Sequence, residues 1–355
     1  MKLLILHYRR KEQYPPLINM LSLLDNKNID YQLITGKYIY SSTNKYVNKG
    51  LIFINYFRYF IVSLLALCRT KDNVLYYESI SSLPVVVYKK LFPKSKLRIF
   101  IHFHEYFSTE EYKRQSYLSR MGRKYEESLF AKAKWISHTN KDRLKMFVND
   151  VSANLDKSVL HELPNYPSKN WNTLKINKVN REQSKKTRFV HIGSISLHSL
   201  YLKELLTSYG NDEKFELHFY SHSSDAELIN WLKSFDNVFY HGSIAYKNIP
   251  KEVYGKYDVG LVLYKGNSLN FTYNAPNKIF EYLALDLDVW CSNKLLTAKN
   301  YEIRNTYPKL LMVDFEDFEK LNYKEFRDRK QLKYKKSPYF YEKEYCRFIQ
   351  KLKAS

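Results

Sequence analysis

Two short stretches of this 355-residue chain gather side chains able to do chemistry. The first is Tyr273-Asn274-Ala275-Pro276-Asn277-Lys278-Ile279-Phe280-Glu281-Tyr282-Leu283-Ala284. Pro276 fits the turn before a helix. The backbone N–H groups from Asn277 onward then begin that helix without partners, and the helix dipole adds positive potential. Such an end is a seat for a phosphate. Glu281 lies about one turn further in, where a carboxylate can accept hydrogen bonds from the paired hydroxyls of a ribose. Lys278 either adds charge beside the phosphates or faces solvent. An ordinary amphipathic helix with a capping proline would show the same pattern.

The second stretch is Ile101-His102-Phe103-His104-Glu105-Tyr106. Alternation along a strand sends His102 and His104 to the same side. The carboxyl end of that strand, with His104 and Glu105, should open into a binding cleft. Two histidines and a glutamate also fit a metal site in type, but the spacing alone supplies no defined geometry, and no metal is assigned. A buried histidine pair satisfied by backbone is the plain alternative. Near the N-terminus, His7-Tyr8-Arg9-Arg10 follows the first apolar run. Arg9 and Arg10 there either grip a phosphate on an acceptor or lie at the surface.

The elements that must position these groups alternate. Short apolar runs at 3–6, 31–34, 73–77, 97–103 and 135–139 read as strands. Helical spacing occupies 17–24, 51–68, 83–92 and 117–131. The pattern restarts with strands at 188–192, 215–220, 238–240, 259–264 and 289–292, and helices at 200–209, 226–235, 253–257 and 277–285. Short strands alternating with helices predict parallel α/β sheets with right-handed crossovers. Two such halves in tandem predict a cleft, with ligands beyond the carboxyl ends of the strands. The expected organisation is a first domain over 1–168, a polar linker over 169–187, a second domain over 188–316, and a basic helical extension over 317–355 that packs back on the first domain or trails as a solvated tail.

The run Pro276-Asn277-Lys278-Ile279-Phe280-Glu281-Tyr282-Leu283-Ala284, followed by Leu287-Asp288-Val289, resembles the donor-binding signature of GT-B glycosyltransferases of family four. Earlier pieces agree in order: Val190-His191-Ile192-Gly193-Ser194, Asn237-Val238-Phe239-Tyr240-His241-Gly242-Ser243, Tyr257-Asp258-Val259-Gly260-Leu261 and Leu163-Pro164-Asn165. The resemblance implies an α/β fold of two Rossmann-like domains facing a cleft, and retaining transfer of a sugar from a nucleotide donor with no obligatory metal or other cofactor. It implies donor contacts from Gly193, Ser194, Gly242, Ser243, Asn274, Pro276, Asn277, Lys278 and Glu281. His104 matches a histidine that lies beside the transferred sugar, where it could hydrogen-bond a sugar hydroxyl or the reacting centre, and Glu105 could orient acceptor or sugar. Three departures stand out. Tyr273 occupies the place of a first glutamate. Ser194 and Leu200 replace an arginine and a lysine, with Lys203 close enough to substitute. The glycine-rich turn after the first strand is missing, in keeping with only 9 glycines in the chain.

Composition bounds the rest. A net charge of +22 attracts phosphates, nucleic acid or an anionic membrane face, although codon bias toward Lys, Asn, Ile and Tyr would also produce it. No nucleic-acid module, Walker or zinc-finger pattern is present, so no nucleic-acid partner is expected. Three widely separated cysteines and an N-terminal apolar run too short for a signal peptide suit a cytoplasmic protein. The apolar segment 51–68 carries Asn55 and Arg58. An arginine near the centre of a span costs about 2.5–3.5 kcal/mol, which favours a helix covering the N-terminal sheet and leaves shallow lipid contact open. The leading expectation is a transferase acting on a glycan or lipid-linked acceptor in cell-surface polysaccharide synthesis, in peripheral contact with the membrane. A GT-B-fold nucleotide-sugar epimerase and a non-catalytic basic binding protein are the alternatives.

Overall fold

The computed structural model describes residues 2–9, 11, 14–36, 49–70, 72–151, 155–172, 186–223, 225–318 and 332–354. Arg10 and most of the 169–187 segment lie outside the described residues. The chain forms two compact units: Met1–Asn165 together with Tyr341–Ser355, and Tyr166–Phe340.

The first unit is built on strands β1 (Lys2–His7), β2 (Asp30–Thr35), β3 (Asn73–Tyr77), β4 (Arg98–Phe103), β5 (Ala133–His138) and β6 (Leu160–Glu162). Their spatial order is β2-β1-β3-β4-β5-β6, every pair parallel. Every residue of β3 is buried, as are Leu3 to Leu6 of β1, which is why these strands read as unbroken apolar runs. The connecting helices are α1 (Pro15–Asn26), α2 (Lys49–Arg69), α3 (Leu83–Leu91), α4 (Thr109–Lys113), α5 (Tyr117–Phe130) and α6 (Lys141–Asp150). Their starts are locally encoded: prolines open α1 and α3, Ser108 and Glu111 form a capping box on α4, and Ser116 and Asn140 cap α5 and α6. Helix α2 covers the sheet through Tyr56, Tyr59, Ala66 and Leu67.

In the second unit, β7 (Thr187–Ile192), β8 (Phe215–Tyr220), β9 (Val238–Gly242), β10 (Val259–Val262), β11 (Asp288–Ser292) and β13 (Leu310–Val313) lie in the order β13-β11-β10-β7-β8-β9. Strands β12 (Thr306–Tyr307) and β14 (Lys333–Tyr334) pair separately. The helices are α7 (Leu202–Tyr209), α8 (Ala226–Lys233), α9 (Ile249–Val253), α10 (Leu269–Thr272) and α11 (Asn277–Ala284). Several boundaries differ from the sequence reading by a residue or two, and α10 and β12 to β14 were not read; two of the differences have a local cause. The short helix lies at α9 rather than over 253–257, because Pro250 sits in its first turn. Helix α7 begins at Leu202, since Leu200 bridges Tyr264 and the Tyr201 N–H donates to the Leu263 carbonyl at 2.8 Å.

Two last helices, α12 (Tyr341–Glu344) and α13 (Cys346–Lys353), belong to the first unit. The ring of Phe348 packs edge-on against Phe100 and Trp135, with centroids 5.6 and 5.4 Å away, and Arg98 Nη2 donates to the Leu352 carbonyl at 2.7 Å. Each sheet has one point where the strand order reverses: between β1 and β3 in the first unit, and between β7 and β10 in the second. Parallel sheets of this kind bind ligands beyond the carboxyl ends of the strands at that point.

Candidate functional site

At the second unit's reversal point, β7 ends in Gly193, whose φ of 130° suits glycine. Its N–H donates to the Tyr220 carbonyl at 2.8 Å. A methyl group at this position would come within 2.7 Å of Lys278 Cε and 2.8 Å of Nζ. The absent side chain is therefore what lets the Lys278 ammonium lie across the end of β7. Lys278 extends from the first turn of α11, where Pro276 is the N-cap and no side chain caps the helix. Tyr282 anchors α11 to the sheet. Its hydroxyl accepts the Ile192 N–H at 3.0 Å, and its ring lies where any side chain at Gly260 would clash, with 2.2 Å to a Cβ.

Glu281, one turn into α11, is buried, and its carboxyl makes no hydrogen bond among the described residues. Burial pushes its pKa up, and the nearby Lys278 charge opposes the shift. His191, also buried, bridges β7 and β10. Its Nδ1 is 3.3 Å from the Leu261 carbonyl and its Nε2 3.3 Å from that of Ser194. Burial, reinforced by Lys278, holds its pKa down to about 4. A neutral imidazole carries one N–H, so only one of these contacts is a hydrogen bond at a time.

At the first unit's reversal point stands Glu78, just past β3, with a left-handed φ of 61° that is uncommon for a side chain of this kind. Its Oε1 accepts the N–H of His104 at 2.7 Å, the N–H of Glu105 at 3.3 Å and the hydroxyl of Tyr14 at 3.1 Å. Burial lifts its pKa to about 7; the charge of Glu105 adds to the rise, and Arg9 opposes it. Strand β4 stops at Phe103, so His104 lies in the following bend, outside the strand alternation expected for it. His102 turns its Nδ1 to Ser137 Oγ at 2.9 Å, whereas His104 Nδ1 meets Asn165 Nδ2 at 2.7 Å. With the amide donating, His104 keeps its proton on Nε2. Arg143 Nη1 donates to the His104 carbonyl at 2.8 Å, and Tyr14 packs 4.8 Å from the ring. Burial, then Arg143 and His102, holds the imidazole pKa far below its usual value, so it is neutral. Arg9 reaches Glu105 at 4.0 Å, with both side chains substantially exposed.

No family model matches this sequence, and neither does any curated protein. Solved structures do. HepE of Anabaena, crystallised with UDP and glucose, superposes with a TM-score of 0.58 at 11% identity, covering 89% of this chain and 87% of that one. Sucrose-phosphate synthase from Thermosynechococcus elongatus gives 0.58 at 13% identity, covering 89% and 86%. UDP-GlcNAc 2-epimerase from Neisseria meningitidis, bound to UDP-GlcNAc, gives 0.52 at 13% identity, covering 99% of both chains. The fold is GT-B.

Within the GT-B fold, the residues expected to bind donor divide. Gly193 and Lys278 touch, and Asn274, Pro276, Asn277 and Glu281 share their turn and helix. Ser194 is exposed beside them. Gly242, with a φ of 73°, and Ser243 stand at the end of β9, where the Gly242 carbonyl accepts the Ser221 N–H at 2.8 Å. Lys203 is exposed in the first turn of α7, and no described contact joins it to Lys278 or Gly193. Among the described residues, no group of three metal-ligating side chains comes together. Sequence reasoning missed three residues. Glu78 carries no local signal, because an acidic residue at positive φ is not encoded by any spacing. Arg143 and Asn165 meet His104 only through tertiary folding, although Asn165 sits in the quoted Leu163-Pro164-Asn165 motif.

Proposed function

We propose that this chain is a glycosyltransferase that moves a sugar from a nucleotide donor to a glycan or lipid-linked acceptor. One observation carries the reading: Lys278 lies across Gly193 at the β7/β10 reversal point, with the buried Glu281 one turn along the same helix. A diphosphate at this end would meet the helix amides and a cation. The paired hydroxyls of a ribose could donate to the Glu281 carboxylate. In the transfer, the bond from the anomeric carbon to the diphosphate oxygen breaks as a bond to an acceptor oxygen forms, and the acceptor hydroxyl gives its proton to the departing diphosphate. The charge that develops on the leaving diphosphate falls to Lys278 and the α11 amides, stabilisation of the kind expected to dominate the rate.

The finer parts of the proposal follow from this chemistry and from the family resemblance. Gly242 and Ser243 are assigned to the base, and Asn274 and Ser194 to the phosphates and sugar. His104, neutral with its proton on Nε2, would donate to a sugar hydroxyl, and Glu105, Arg9 and Arg10 would serve the acceptor. Lys278 supplies the cation, so no metal is required. Transfer proceeds with retention, in the cytoplasm, in the synthesis of a cell-surface polysaccharide. HepE, solved with UDP and glucose, supports a nucleoside-diphosphate sugar as donor.

Titration calorimetry with UDP and other nucleoside diphosphates tests the site. Glu281→Ala is expected to weaken binding by about tenfold to a hundredfold, the worth of hydrogen bonds to a charged group. Unchanged affinity removes Glu281 from the site. A second reading, sugar epimerisation on the same donor, is favoured by the end-to-end match to the epimerase and by Tyr273 in place of a first glutamate. Incubation with nucleotide sugar alone separates the two, because only an epimerase converts the donor without an acceptor.

A further inference from the structure

Helix α2 buries one face and leaves the other bare. Tyr56, Tyr59, Ala66 and Leu67 enter the core of the first unit, and the Tyr56 hydroxyl donates to the Ile80 carbonyl at 2.8 Å. On the opposite side Phe53 is 51% exposed, Ile54 65%, Phe57 67% and Leu65 54%, with Ile61 and Val62 also exposed between them. Positions 53, 54, 57, 61 and 65 follow one stripe along the helix. A single exposed apolar side chain is ordinary, whereas a continuous stripe marks an interaction surface. The stripe extends beyond α2: the Phe53 ring lies 6.4 Å from that of exposed Tyr117 at the start of α5, and Leu91 and Phe92 are exposed at the end of neighbouring α3.

The surroundings are cationic. Arg58, Arg69, Lys90, Lys94 and Lys96 are exposed along α2, α3 and the turn that follows. Between residues 49 and 104 the only acidic residues are Asp72 and Glu78, and Glu78 is buried. From α5 exposed Lys124 joins Lys90 over the Tyr125 ring, at 5.6 and 5.3 Å, and Arg120 is exposed one turn before.

We propose that this face docks the first unit on an anionic lipid surface, with α2 lying in the plane of the interface. Phe53, Ile54, Phe57, Ile61 and Leu65 would enter the acyl boundary, while Lys90, Lys94, Arg120 and Lys124 meet the headgroup phosphates. Two features select this occupant. The described residues hold one helix long and apolar enough to cross a membrane, Ile52–Arg69, but its buried face is committed to the core, so it lies on a bilayer rather than through it. A second copy of the chain would bring the same cations against one another across a two-fold contact, which opposes self-association. The proposal stands whether or not α11 binds a nucleotide.

The test floats the full chain with vesicles of phosphatidylcholine alone and with added phosphatidylglycerol. The expected result is association that rises with phosphatidylglycerol and falls with salt. Charge reversal at Lys90 or Arg120 to glutamate should weaken it by about fivefold per residue or more. The double variant Ile54→Ser with Phe57→Ser, at two largely exposed positions, should lower it by about tenfold or more while thermal unfolding stays that of the parent protein. Absence of vesicle binding by the parent chain overturns the proposal, as does unchanged binding by the folded double variant. Concentration-dependent self-association that the double variant abolishes, without vesicle binding, assigns the face to a second copy and overturns it too.

Discussion

The two sheets reverse strand order in the same way and furnish the reversal points with opposite chemistry. In the second unit the point is held open by Gly193 and crossed by a lysine, with a buried glutamate behind it. In the first unit, His7, Glu78 and His104 fill the equivalent place. Burial drives the two imidazoles neutral and lifts the carboxyl of Glu78 to about 7. The difference lies in one residue type: at the end of β7 a glycine admits a cation, whereas β1 runs into His7-Tyr8-Arg9 without a glycine. One reversal point offers positive charge suited to a phosphate. The other offers directed hydrogen bonds suited to hydroxyls.

The contrast breaks most easily at Lys278. Lys278→Ala should lower nucleoside-diphosphate affinity by about 2–3 kcal/mol, the loss of a charge-assisted contact, read by calorimetry. An unchanged dissociation constant would mean that the second point is not a phosphate seat. The next variant, Gly193→Ala, adds a strained φ and forces Lys278 aside, so an unfolding loss of about 1–3 kcal/mol should accompany weakened diphosphate binding. Gly255→Ala, with a φ of 75° and no neighbour within 4 Å of the added methyl, serves as the control for strain alone. If both variants lose equal stability and neither loses binding, the contact between Gly193 and Lys278 has no functional weight.

The first unit is tested by pH. Glu78 has a folded pKa of about 7 against an ordinary 4.5, so the stability it contributes is fully present below about pH 4.5 and is lost as pH rises through 7. The loss should be on the order of 3 kcal/mol. Urea unfolding of Glu78→Gln should therefore show a flatter decline from pH 4.5 to 8 than the parent protein. Glu126, buried and raised to about 8, keeps some decline in both. Identical slopes would show that Glu78 is not held neutral. The smallest effect is expected from Arg9→Gln. Its contact with Glu105 at 4.0 Å is solvent-screened, so unfolding should change by less than about 0.5 kcal/mol. A larger shift in the unfolding midpoint would place Arg9 in the core network rather than at an acceptor.

The fold was legible because strands buried on both faces must be apolar throughout, and because Pro84 and Pro276 announce helix starts. The α11 segment was legible for the same reason, since its proline, lysine and glutamate fall on one turn and a half of helix. What stayed hidden depends on distant pairing. Nothing near Gly193 in sequence announces that Lys278 will cross it. His104 reads as part of a strand until the bend after Phe103 is seen. Apolar spacing made 51–68 a helix, but which of its faces lies bare depends on how it seats on β1, β2 and α3.

The return of Tyr341–Lys353 to β4 and β5 makes the second unit an insertion within the first. During synthesis, Trp135 and Phe100 emerge long before Phe348, which covers them. The first unit therefore cannot close its core until the whole of the second has left the ribosome, and an unfinished chain carries an uncovered aromatic surface throughout that interval.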